Sequence, residues 1–321
     1  DILGFVGIDG GLGGVEYQFD KFLSGSLGKI VIEGDPRGVQ IISGKKRIHG
    51  RPKGFSHEIG KIEPKSFDGG HIHLTIDSTI QYWTQKFLKE SIIEQEAPKG
   101  TAIVMNAKTG EVLAMTDYPS YDPNKFYNAP DEIRKNSSVV DVFEPGSILK
   151  VMTFAAAIEE GVVTLNSEIK VPEVYKLGDR IIREAHKRKE GETDDVTATE
   201  VLERSLNVGT VLMAIELGEE RFYKYLKAFG FGKTTGIGLP GESPGLLRHP
   251  KQWSMVDIGM ISFGQGIGVT TLQMATAMSA VANGGILVKP RIIKYTTDGE
   301  GMALKAVSKK RVHRIITKAS A

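Results

Sequence analysis

Ser147 and Lys150 stand three residues apart in the stretch DVFEPGSILKVMTFAAAIEEG, residues 141–161. Lys150 is the single charged residue between Glu144 and Glu159, inside a run of Ile148, Leu149, Val151, Met152, Phe154, Ala155, Ala156, Ala157 and Ile158. A run that is apolar on every face at helical spacing is the pattern of a helix buried in protein. Burial lowers a lysine's pKa, by as much as ~3–5 pH units when complete, and so makes a general base of it near neutral pH. A serine needs such a base before it becomes a good nucleophile. Pro145 and Gly146 mark the turn into the helix. Ser147 therefore falls in the first turn, where free backbone N–H groups and the helix dipole favour developing negative charge. Lys150 at i+3 is expected on the same face, one turn on. Serine, lysine and electropositive helix end are the parts of an acyl-transfer site that uses no histidine.

The pattern by itself serves equally well as a structural lysine snorkelling to the surface. Ser26-Leu-Gly-Lys29 has the same spacing in a Gly-rich stretch and has no apolar helix behind it. A second constellation is Ser205-Leu-Asn207, the only Ser-x-Asn in the chain, within EVLERSLNVGTVLMAIELG. A hydroxyl and an amide two residues apart can point into one cleft, relay a proton and hold a substrate amide. In isolation the same residues are an ordinary helix start.

The elements that must position these groups follow from the patterning. HIHLTI (71–76) alternates as a strand, and DSTIQYWTQKFLKESIIEQEA follows as an amphipathic helix with Asp77 as N-cap. GTAIVMNAKTGEVLAMT (100–116) reads as two strands around a turn at 106–110. The remainder is mostly helical with long loops, so a sheet with helices packed on it is expected. Residues 1–69 are rich in Gly and Lys, with short strand-like runs such as KIVIEG (29–34), and read as an extended platform without a complete core of its own. GKKRIHGRPKG (44–54) reads as a solvated basic loop.

Composition narrows the possibilities. The 321 residues carry 41 bases and 39 acids, a net charge of +2 that points to no nucleic acid or acidic partner. The absence of cysteine excludes disulfides, thiolate catalysis and Cys-ligated zinc. His71 and His73 share a strand face but have no third ligand nearby, so no metal is expected there. No run of 18 apolar residues exists, and the chain opens as if in mid-domain, so an upstream signal or anchor is expected.

FEPGSILK and SLN, with their serines 58 residues apart, resemble the first two signatures of penicillin-binding proteins and serine β-lactamases. HLTIDSTIQ, KTGEVLAM, YPSYDPN, FGFGKTTGIGLPGE, SFGQGIGVTTLQMA and VANGGILVKPRII are similar to the class B, monofunctional branch. SSVVDVFEPGS leans toward its cell-division members, and residues 1–25 resemble the end of that branch's N-terminal pedestal. The resemblance implies an α+β fold, an antiparallel five-stranded sheet with helices on both sides. It implies two parts, the end of the pedestal over 1–69 and a transpeptidase domain over 70–321 that lacks its C-terminal strands. It implies a peptidoglycan D,D-transpeptidase that cross-links D-Ala-D-Ala stem peptides through a serine acyl-enzyme, is acylated by β-lactams and needs no cofactor. Ser147 would be the nucleophile and Lys150 its base; Ser205 would relay the proton and Asn207 contact the donor peptide. The Ser147 N–H would supply half of the oxyanion hole. Implied partners are a glycosyltransferase and other division proteins, with the catalytic domain periplasmic behind an inner-membrane anchor.

One family signature is missing. Lys-Thr-Gly is expected late in the chain, whereas Lys108-Thr109-Gly110 lies before the nucleophile in a hairpin turn, and Lys233-Thr-Thr-Gly236 has an extra residue. The other expected reading is therefore a catalytically inactive binding or β-lactam-sensing module of the same fold. A P-loop is excluded because Lys227 stands where Walker A needs glycine, and no Gly-x-Ser-x-Gly elbow is present.

Overall fold

The structure is a computed structural model that describes residues 2–8, 10–25, 33–34, 40–41, 69–185, 194–307 and 311–321. The Ser26/Lys29 pair and the basic stretch at 44–54 lie outside them. Of the strand expected at 29–34, Glu33–Gly34 is described and pairs antiparallel with Gln40–Ile41. Contacts divide the chain into two units. One takes Gly4–Leu74 and Ile293–Ser308. Its three-stranded antiparallel sheet places Ile293–Thr297 between His71–Leu74 and Ala303–Ala306. His73 stacks on Tyr295 there, ring centres 4.0 Å apart, and no metal-holding cluster occurs among the described residues.

The other unit, mainly Thr75–Ile292, carries both constellations. It opens with helix α1, Ser78–Glu94, capped as expected: the Asp77 carboxylate accepts from the N–H groups of Thr79 and Ile80. Gln81, Thr84, Leu88 and Ile92 form its half-buried inner stripe. No α1 residue is fully buried, and Tyr82, Trp83 and Phe87 are exposed, so the helix is less one-sided than its pattern suggests. Strands β1 (Gly100–Met105) and β2 (Val112–Tyr118) pair antiparallel from Gly100↔Tyr118 to Met105↔Val112. Their turn is built by Asn106, whose side chain accepts from the N–H groups of Lys108 and Thr109. Lys108-Thr109-Gly110 is thus part of a hairpin turn. Where the resemblance implies five strands in one sheet, the described residues hold two in this one.

Helix α2, Lys150–Glu159, follows a single 3-10 turn, Gly146–Leu149. Next come the hairpin β3 (Val174–Leu177) and β4 (Arg180–Arg183), then helices α3 (Ala198–Glu203), α4 (Asn207–Leu217), α5 (Glu219–Phe229), α6 (Asp257–Ser262) and α7 (Thr271–Ala282). Short strands Ile286–Val288 and Arg311–Arg314 pair beyond α7. α7 also packs against β1, on which the Thr101 and Thr271 hydroxyls meet at 2.8 Å.

α2 is apolar all round because it separates two hydrophobic clusters. Met152, Ala155 and Ala156 face Leu217, Phe222, Leu226 and Ile261. Phe154 and Ala157 face Val163, Val208, Val211 and Phe263. Each large side chain so buried stabilises by roughly 1.5–3 kcal/mol relative to exposure. Thr153 is absorbed by a hydrogen bond from its hydroxyl to the Ser262 carbonyl at 2.7 Å. Among the described residues no helix is long and apolar enough to cross a membrane.

Candidate active site

Lys150 opens α2 with 1% of its surface exposed, and it is the one charged residue among the largest fully buried side chains of the described residues. Its Nζ donates to the Ser205 carbonyl at 2.5 Å, to Ser205 Oγ at 3.1 Å and to Asn207 Oδ1 at 2.8 Å. All three donors of the ammonium are thereby used. The structure brings Lys150, Ser205 and Asn207 into one cluster, 55 to 57 residues apart in the chain.

Two opposed effects act on the ammonium. Burial strips its water and pulls its pKa down, while the negative charge of Glu184 raises it; the result is about 8, against an ordinary 10.5. At neutral pH about one Lys150 in ten is therefore deprotonated, enough to serve as a base.

Ser147 takes no part in the Lys150 hydrogen bonds. It is exposed at the mouth of the 3-10 turn, and its hydroxyl has no hydrogen-bond partner among the described residues. The i+3 spacing alone puts Ser147 and Lys150 on one helix face, where the lysine stem has the reach to return to the serine. The lysine instead turns inward to three oxygen acceptors, which compensate its burial better than one serine hydroxyl would.

The turn carrying Ser147 is pinned from outside its own helix. Phe143 and Val269 exchange backbone hydrogen bonds, the Glu144 carboxylate accepts from the Gly266 N–H, and the Gly146 N–H donates to the Gly264 carbonyl at 3.0 Å. Gly146 has φ +57°, so the chain reverses sharply before the serine. Ser205 closes the junction of α3 and α4 at φ +54°, a left-handed conformation costing a non-glycine residue on the order of 1–3 kcal/mol. That strain directs the Ser205 carbonyl and hydroxyl together at Lys150.

Glu184, Glu144 and Gly264 were not singled out from the sequence. Glu184 sits 23 residues before Asn207, past a segment of no fixed period, and no spacing rule links them. Gly264 owes its place to a close approach between distant segments, which appears only on folding. The Walker-like GKTT loop is also explained: the Glu242 carboxylate accepts from the N–H groups of Thr235 and Gly236, an anion supplied by the chain itself. A separate cavity of about 220 Å³, lined in part by Lys233, Gln273 and Lys289, shares no residue with the Lys150 cluster.

Residues 100–321 match the family described as the penicillin-binding protein transpeptidase domain. "Penicillin-binding protein PbpB" of Mycolicibacterium smegmatis is 37% identical over 303 residues, 94% of this chain and 44% of that protein. "Peptidoglycan D,D-transpeptidase FtsI" of Escherichia coli K12 is 32% identical over 287 residues, 89% of this chain and 45% of that protein. The chain thus spans under half the length of these curated relatives. Among solved structures, penicillin-binding protein 3 of Mycobacterium tuberculosis superposes with a TM-score of 0.82 at 30% identity, covering 99% of this chain and 64% of that one. The same protein complexed with aztreonam gives 0.81 at the same identity and coverage. By sequence family, by relatives matched along about nine-tenths of its length and by fold, the chain belongs to the penicillin-binding protein transpeptidase family.

Proposed function

We propose that this chain carries the acylation centre of a peptidoglycan D,D-transpeptidase of the septal, class B kind. The observation that supports it most is the buried Lys150 ammonium, bonded to Ser205 and Asn207 one turn from an exposed serine. Ser147 Oγ attacks the carbonyl between the two D-alanines of a stem peptide. Its proton passes to deprotonated Lys150, directly on rotation of either side chain or through the Ser205 hydroxyl. The oxyanion develops at the Ser147 N–H, where one well-placed donor is worth ~2.7–4 kcal/mol. The terminal D-alanine leaves as its nitrogen takes the proton back from the Lys150–Ser205 pair. An amine of a second stem peptide then attacks the Ser147 ester, forms the cross-link and regenerates the hydroxyl. Asn207 holds an amide of the donor peptide.

A β-lactam enters the same route, but its ring opens without releasing a leaving group, so the acyl-enzyme persists. Support for this ligand class comes from the M. tuberculosis penicillin-binding protein 3 structures complexed with aztreonam and with ampicillin. Division proteins, a glycosyltransferase partner, a membrane anchor and an extracytoplasmic location belong to the same proposal.

The test is intact mass after incubation with penicillin. The wild-type chain gains one penicillin mass, mapped to Ser147, and Ser147→Ala gains none while its melting temperature stays close to wild type, the serine being exposed and unbonded. Labelling that survives in Ser147→Ala overturns the nucleophile assignment.

A further inference from the structure

Glu184 follows strand β4 and turns its carboxylate onto the first residues of α4. Oε1 accepts from the Val208 N–H at 3.0 Å, and Oε2 takes the Asn207 N–H. Both N–H groups belong to the first turn, which has no intrahelical partners for them. Leu206 occupies the N-cap and offers no side-chain acceptor, so Glu184 supplies from outside the helix what a cap residue supplies from within. Asn207 is gripped a second time, by a hydrogen bond from Nδ2 to the Arg183 carbonyl at 2.9 Å. Two adjacent residues therefore hold the backbone and the amide nitrogen of Asn207, which leaves Oδ1 aimed at Lys150.

We propose that Glu184 is a positioning residue for Lys150: it fixes Asn207 and the start of α4 against the ammonium, and its charge governs how readily that ammonium gives up its proton. The inference rests on the acylation reading above for its catalytic meaning, though not for its geometry. Neutral groups make the direct contacts with Lys150, and Glu184 is the charged group that acts on it. Of the charged residues of the helices packed on α2, Glu200 bonds Thr197, Glu203 and Glu216 face solvent, and Arg221 pairs with Glu160. On α5, Glu220 and Lys224 are exposed and Glu219 and Lys227 half-buried, and Asp257 is paired with Arg248. The sign follows from the charges. Glu184 stabilises the protonated lysine, so removing its charge lets the proton leave at lower pH.

Glu184→Gln deletes the charge and keeps an acceptor for the helix start; Glu184→Asp keeps the charge on a shorter arm. The Lys150 side-chain signal, identified by its loss in Lys150→Arg, is titrated by NMR in lysine-labelled protein, and penicillin acylation rates are measured across the same pH range. In Glu184→Gln the Lys150 midpoint falls, the deprotonated fraction at pH 7 rises about two- to fivefold, and the acid limb of the acylation profile moves down with it. Glu184→Asp stays near the wild-type midpoint. A midpoint indifferent to Glu184→Gln, or moved as far by Glu184→Asp, overturns the proposal. A midpoint that moves in a protein that penicillin does not acylate retains Glu184 as the residue governing Lys150 and overturns the acylation reading instead.

Discussion

Lys150 sets the pH behaviour of the site and of the fold together. Its folded pKa of about 8 lies below the ordinary 10.5, so the unfolded chain binds more protons between those values. Stability contributed at this residue therefore rises with pH across that window, while below about 8 the full cost of holding the ammonium buried beside Glu184 is present. Lys150→Met keeps the volume of the side chain and removes the charge. The difference in melting temperature, wild type minus variant, should climb between pH 8 and 10.5, and a flat difference would show that burial does not depress this lysine. Penicillin labelling should be lost in the variant, since no base then serves Ser147; labelling at the wild-type rate would sink the base assignment.

At the level of elements, the serine turn depends on a contact from a remote segment. Gly264 has φ +85°, and a Cβ there would lie 2.1 Å from the Gly146 carbonyl oxygen and 2.5 Å from its nitrogen. Neither backbone atom can yield without moving the turn that presents Ser147. Gly161 also has positive φ (+68°), but a Cβ there would meet nothing within 4 Å. Gly264→Ala should cost about 2–4 kcal/mol and most of the acylation rate, Gly161→Ala about 1 kcal/mol and none of the rate. Denaturant melts and labelling of the two variants make the comparison, and equal behaviour would refute a close-packed role for Gly264.

At the level of the whole molecule, the proposed acylation centre is told apart from a hydrolase by the fate of its serine ester. Among the described residues no carboxylate bonds Ser147 or the Lys150 ammonium, and the Glu184 carboxylate is occupied by the start of α4. The penicillin adduct should accordingly remain on the protein for hours after free drug is removed. Its loss within minutes, with steady consumption of penicillin, would assign the chain to hydrolysis instead. The mass of the protein read over time decides between them.

Much of this was legible in the chain itself. Asp77 capping α1, the Asn106 turn between β1 and β2, and an α2 buried on every side all follow from local rules of capping, turn chemistry and periodicity, which act over a few residues. Ser147, Lys150, Ser205 and Asn207 were marked by type, spacing and family resemblance. The direction of Lys150 was not legible, because i+3 spacing records only which helix face a residue leaves from. A long lysine stem then turns toward whichever acceptors the rest of the fold provides. Nor were Glu184 and Gly264 legible, since an external helix cap and a backbone contact join segments whose separation in the chain follows no period. Residue types and helix periodicity determined which groups the protein could use; the meeting of α2 with the α3–α4 junction decided which of them touch, because burying a charge demands acceptors that no single segment carries.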